Sequence, residues 1–150
     1  MAVTTSGLWG QTLKDSLLND AAISLDTNIK CALFDNSSTP SFDDTTPTFA
    51  SMTTEVVGTN YTAGGNALGT PTLTVASPAA TQLKFDADDA QWTSSTIPSS
   101  GNAPICAVVY NHTTVDYTIY LAYFGSTAST SAGTFTVAWH SNGLFYLDYA

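Results

Sequence analysis

The chain has 150 residues, of which 10 % are charged: twelve carboxylates, three lysines (Lys14, Lys30, Lys84) and no arginine, for a formal net charge of -9. Such a chain lacks the cations that neutralise a phosphate backbone and the guanidinium forks that read base edges, so no nucleic-acid partner is expected. Its length suits a single domain, residues 1–150, with a core large enough to need neither a structural metal nor a disulfide framework, and no window is long and apolar enough to span a bilayer.

The N-terminal segment has no basic region followed by an apolar run, so no signal peptide is expected and synthesis in a cytoplasm is the reading. Within an N-terminal arm of residues 1–20, Trp9, Leu13 and Leu17 fall four apart, with Leu18 beside them and polar Gln11, Lys14 and Asp15 between. That period predicts a short amphipathic helix over residues 7–20. A helix of this length is marginal alone, so its stripe must dock, by default on the sheet of its own domain. From Ile23 to Phe34 the period becomes that of a strand, with Ile29, Cys31 and Leu33 on one side.

Residues 35–54 carry Pro40, Pro47, Asp43, Asp44 and many hydroxyls, with Phe42 and Phe49 as their only large apolar anchors before Met52. They read as a long loop, and long loops in compact domains are often contact elements. Leu8, Trp9, Leu13, Phe42 and Phe49 are therefore the candidate partner-contact residues.

The stretch Glu55-Val-Val-Gly-Thr-Asn-Tyr-Thr-Ala-Gly-Gly-Asn-Ala-Leu68 gathers Gly58, Gly64 and Gly65 around Tyr61. Glycines so spaced predict backbone at positive φ or in close approach to a neighbour, as in a tight crossing over a buried tyrosine. A phosphate-binding loop would need Lys-Ser or Lys-Thr after the last glycine, where Asn66 and Ala67 stand, and no nearby lysine is expected to reach a phosphate.

Leu73–Val75 and Leu83–Phe85 alternate around a turn at Ser77–Ala80 and predict a hairpin-like pair. Asp86-Ala-Asp-Asp89 does not fit a calcium loop, whose further ligands and glycine would fall on Ala90, Ile97 and Gln91, so a solvated acidic turn is expected, then Trp92 and a polar loop to Pro104. Four more strands are read at Ile105–Tyr110, Tyr117–Phe124, Thr134–Trp139 and Leu144–Tyr149, the last two joined by a His140-Ser-Asn-Gly143 hairpin turn. The fold class is all-β, mainly an antiparallel sandwich or barrel, with one short N-terminal amphipathic helix.

His112 and His140 lie in turns without a nucleophile elbow or a metal-ligand pair, so no enzyme activity, metal or cofactor is expected. Cys31 and Cys106 lie in apolar runs and read as buried free thiols; spacing alone leaves a disulfide open.

Taken in order, these motifs resemble a family of small tailed-bacteriophage virion proteins described as capsid decoration or minor structural proteins. Leu8-Trp9-Gly10 with Leu13 is similar to the family's helical opening, and Asp26-Thr-Asn-Ile-Lys-Cys-Ala-Leu33 to its first strand. Glu55 to Gly65 resembles its Glu-Val-x-Gly-x-Gly-Tyr-x-x-Gly-Gly signature, with Asn60 in place of one glycine, and Asp86-Ala-Asp-Asp89, Trp92, Ser95-Thr-Ile97 and Ala107-Val-Val-Tyr110 follow in family order. Where members often carry Ala-Arg before the last of these strands, this chain has the insert Pro98–Pro104 and no arginine. The resemblance implies a non-enzymatic virion component at the capsid surface: a decoration protein, expected to be a homo-oligomer, whose partner is the major capsid protein. The alternatives are a head-tail adaptor or a tail or fibre receptor- or carbohydrate-binding module, the latter using Trp92, Trp139 or Tyr149 as stacking platforms.

Overall fold

The computed structural model describes residues 3–18, 23–77, 79–113 and 115–149. Ten strands and one α-helix are described: β1 (Gly7–Leu8), α1 (Gly10–Leu18), β2 (Ile29–Asp35), β3 (Asn66–Ala67), β4 (Thr72–Val75), β5 (Gln82–Asp86), β6 (Ala90–Ile97), β7 (Pro104–Asn111), β8 (Tyr117–Tyr123), β9 (Thr130–Val137) and β10 (Phe145–Asp148). They form a five-stranded sheet in the order β1-β8-β7-β2-β3, a three-stranded sheet β10-β5-β4 and a two-stranded ribbon β6-β9, all antiparallel. The architecture is all-β with one short helix and is not a closed barrel. Residues 19–22, which hold the end of the expected helix, lie outside the described residues, and the first long strand begins at Ile29 and not at Ile23.

β2 and β7 form the centre because both are apolar on both faces, the pattern of strands covered on each side. Ile29, Cys31, Leu33, Ala107 and Val109 point to an inner core, where they meet Phe85, Ala90, Trp92, Ile97, Phe135 and Val137 from the smaller sheets. Ala32, Phe34, Cys106, Val108 and Tyr110 point to the other side, into a second core with Val3, Trp9 and Met52, against which Phe42 and Phe49 also pack. Cys31 and Cys106 therefore lie on opposite faces of the sheet and are both free. Complete burial raises the Cys31 thiol far above its ordinary value, with the neighbouring Cys106 adding to the effect. Burial and then the Asp35 charge push Cys106 up to about 12.

Three further sequence expectations require correction. The helix begins at Gly10, because Gly7 and Leu8 pair with Leu121 and Tyr120 as a short edge strand. The polar segment around Trp92 is the strand β6; its alternation is hidden because the pairing with β9 shifts register between Trp92 and Ser95 and again before Ile97. The His140–Gly143 turn forms, with Gly143 N–H donating to His140 O at 2.7 Å, but it joins no hairpin. β9 pairs with β6 and β10 with β5, so the turn carries the chain between sheets. Gly143 sits at φ 88, and a Cβ there would lie 2.4 Å from Phe85 O.

Candidate functional sites

The glycine-rich crossing is built around one carboxylate. Tyr61 donates its hydroxyl to Glu55 Oε1 at 2.7 Å and accepts from Leu33 N–H at 2.9 Å, and the same Glu55 oxygen accepts from Gly64 N–H at 2.7 Å. Tyr110 closes the loop by donating to Gly64 O at 2.6 Å. Gly64 and Gly65 have φ of 82° and 65°, and a Cβ on Gly65 would lie 1.9 Å from Cys31 O, so no larger residue fits against β2. A Cβ on Gly58 would lie 2.6 Å from Thr96 O, where the chain touches β6. Asn60 adopts φ 55 in the position where the resemblance has glycine, a conformation its short polar side chain tolerates. Burial pushes the Tyr61 hydroxyl far above its ordinary value and the Glu55 charge adds to this, while the Leu33 bond opposes it.

Glu55, Gly58, Tyr61, Gly64 and Gly65 are thus brought together, and what they make is a clasp between the central sheet and β6. Contrary to the sequence expectation, a lysine does stand near: Lys30 Nζ lies 3.9 Å from where a Gly64 Cβ would be. The N–H that an anion would use is nonetheless taken by Glu55, so the loop serves the chain's own carboxylate.

The five candidate contact residues pack within the chain: for Leu8, Trp9 and Leu13 this is the default docking on their own domain, and Phe42 and Phe49 also pack inward. Trp9 is buried, donates Nε1 to Ser41 O at 2.8 Å and packs on Phe42 with ring centroids 5.0 Å apart. Phe49 packs on Tyr110 at 4.3 Å and Phe34 at 5.4 Å, and Leu8 and Leu13 pack against the inner core. For Trp9, Phe42 and Phe49 the physical reason is that the outer face of the central sheet has no second sheet over it. The N-terminal arm and residues 35–54 supply the cover, and their apolar anchors point inward. This segment is also tied by backbone bonds from Phe49 N–H to Asp116 O at 2.7 Å and from Thr118 N–H to Pro47 O at 3.0 Å.

A polar clasp holds the start of that cover. Asp35 Oδ1 accepts from Ser37 N–H at 2.7 Å, and Oδ2 accepts from Asn102 Nδ2 at 3.0 Å. Asn102, from the insert before β7, also donates to Glu55 O at 3.3 Å and accepts from Val57 N–H. Burial raises the Asp35 carboxyl, but hydrogen bonds from Thr54, Ser37 and Asn102 outweigh it and hold the group below its ordinary value of 3.8.

Two surface features remain. The first is an apolar edge: β4 lies at the margin of its sheet with all four residues exposed, Leu73 at 43 % and Val75 at 67 %. At the end of α1, Leu17 is 65 % and Leu18 60 % exposed, and Leu17, Leu25 and Leu73 line one shallow recess. The second is an aromatic recess where β8 faces the β9–β10 turn, a space of about 330 Å³ adjoined by another of about 490 Å³. Tyr120, Phe124, Trp139 and His140 line the first space; Tyr120, His140, Phe145 and Tyr146 line the second.

The apolar edge is not legible as a site; of the three aromatics named as possible stacking platforms, Trp139 lines the recess, Trp92 is buried in the inner core and Tyr149 is exposed outside the recess. β4 is short, and the recess joins residues from two strands and a turn. His112 and His140 are both exposed, His112 pairing with Asp116 at 2.8 Å, and no group of three or more His, Cys, Asp or Glu able to hold a metal occurs among the described residues. No described helix is long and apolar enough to cross a membrane. Comparison with protein families, curated proteins and solved structures finds no match to the chain.

Proposed function

We propose that the chain is a non-enzymatic structural protein of a tailed-bacteriophage virion, a decoration protein that binds the outside of the assembled major capsid lattice and stabilises it. The motif order from Leu8 to Tyr110 supports the family, and the apolar edge formed by Leu73, Val75 and Leu17 is the observation that supports a docking role. A free strand edge with apolar side chains is normally blunted by charge or proline, because it invites pairing with another chain. Here Thr72-Leu-Thr-Val75 carries neither.

The stabilising mechanism is linkage. A protein that binds only the assembled shell adds association free energy to that state, about 2.7 kcal/mol per site when its free concentration is about 100 times Kd. With a net charge of -9, complementarity calls for a shell surface that is apolar at the contact and neutral or basic around it.

The test is occupancy of purified shells. The wild-type chain is expected at a simple whole-number ratio to the major capsid protein, and Leu73→Asp with Val75→Asp is expected to abolish that occupancy while circular dichroism stays unchanged. Full occupancy by the folded double variant would remove the edge from the interface, and presence at only a few copies per virion would move the protein from the lattice to the tail or portal vertex.

A further inference from the structure

The aromatic recess lies at the opposite side of the three-stranded sheet from the apolar edge: β10, which supplies Phe145 and Tyr146, is at one margin and β4 at the other. A partner on β4 therefore leaves the recess open. Its rings are held from behind by the core. Tyr120 packs on Phe145 at 6.0 Å, Phe145 on Phe85 at 5.1 Å, and Phe124 on Phe135 at 6.5 Å. Trp139 is fixed by its backbone N–H on Asp89 Oδ1 at 2.9 Å and by its Nε1 on Asp88 O at 3.1 Å. The platform is thus organised before any ligand arrives, which lowers the ordering cost of binding.

The chemistry of the rim selects the ligand. In a chain with twelve carboxylates, no charged side chain lines either space. The Tyr120 and Tyr146 hydroxyls make no hydrogen bond among the described residues, and Tyr146 is 48 % exposed. His140 Nδ1 accepts from Asn142 N–H at 3.1 Å, which puts the ring proton of the neutral form on Nε2, where it is an outward donor. Aromatic faces beside neutral donors and acceptors match a ligand with apolar C–H faces and many hydroxyls. Volumes of this size are those of small-molecule sites. An acidic ligand would find no cation there, and an apolar one would leave the hydroxyls unpaired.

We propose that this recess binds a neutral saccharide, with Trp139 and Tyr146 as stacking faces and His140 Nε2 and the Tyr120 hydroxyl as hydrogen-bonding groups. The inference does not depend on where in a particle the chain sits, and it assigns different residues from the apolar edge.

The experiment titrates the full chain with maltotetraose, cellotetraose and chitotetraose, and with an oligogalacturonate as the charged control, followed by tryptophan fluorescence and by amide chemical shifts. At least one neutral oligosaccharide is expected to bind in the millimolar range or tighter and to shift residues 120–124 and 138–146, while the charged control does not. Tyr146→Ala and His140→Ala, both at exposed positions, are expected to weaken binding about tenfold each with unchanged thermal midpoints. Absence of binding by all three neutral probes at about 10 mM, shifts elsewhere on the chain, or unaltered affinity in both variants would each overturn the assignment. Shell occupancy measured on the same variants keeps the two readings apart, because loss of sugar binding is expected to leave docking through β4 intact.

Discussion

The two faces of the central sheet are covered by different kinds of structure. The inner face is covered by strands whose own backbones are paired in β4–β5–β10 and β6–β9, so their register is fixed along several residues. The outer face is covered by chain with little regular structure, apart from a 3-10 turn at Phe49–Ser51, and is held by individual anchors: Trp9, Phe42, Phe49, Met52 and the Asp35–Asn102 clasp. Apolar burial on the two faces thus comes with unequal cooperativity. Losing one paired residue on the inner side disturbs a ladder, whereas losing one anchor on the outer side releases a segment.

The sharpest contrast is between two buried tryptophans. Trp92→Ala, which removes the ring between Tyr61 and Phe135, is expected to lower global stability by about 3–5 kcal/mol in urea denaturation. Trp9→Ala is expected to cost about 3 kcal/mol or less and to raise amide exchange across residues 35–54 while β2, β6 and β7 stay protected. Equal, global loss of protection in both variants would show that the two covers are one cooperative unit.

A smaller effect comes from the clasp. Because Asp35 is held below 3.8 in the folded state, it contributes stability that is fully present above that pH and is lost as pH falls through the folded-state value. Asn102→Ala removes one of the bonds that hold the carboxyl down, and also the acceptor of Val57 N–H. It is expected to cost about 1–3 kcal/mol at neutral pH and to move acid unfolding to higher pH, with the pH-dependent part of the difference absent once the carboxyl is protonated in both. An acid midpoint identical to that of the wild type would remove Asn102 from the control of Asp35.

The smallest effect, and the finest reading of the comparison, is thiol accessibility. Both thiols are buried and shifted upward, so neither is expected to react with a thiol reagent at neutral pH in the native state. Under mild denaturant Cys106, beneath the outer cover, is expected to label before Cys31. The reverse order would mean that the strand-built side opens first.

Sequence reasoning reaches the parts in which one residue type has one physical use. β2 and β7 are legible because continuous apolar runs have no other soluble role, and the Tyr61 crossing because paired glycines beside an aromatic demand close backbone approach. β6 is obscured by two register shifts through hydroxyl residues, and Phe42 and Phe49 by an otherwise polar setting that gives no sign of facing a sheet. The aromatic recess is assembled by β10 reaching β5, a pairing no local pattern announces.

The pairing of Gly7 with Leu121 has a consequence in time. As the chain leaves the ribosome, its first strand has no partner until β8 is made, and β5, paired at once with β4, keeps its other edge open until β10 is made at the far end. Such long-separation pairings make folding slow relative to local helical folds. The nascent chain carries an unfinished, apolar sheet for most of its synthesis, so its yield in a cell depends on how well that interval is shielded from other chains.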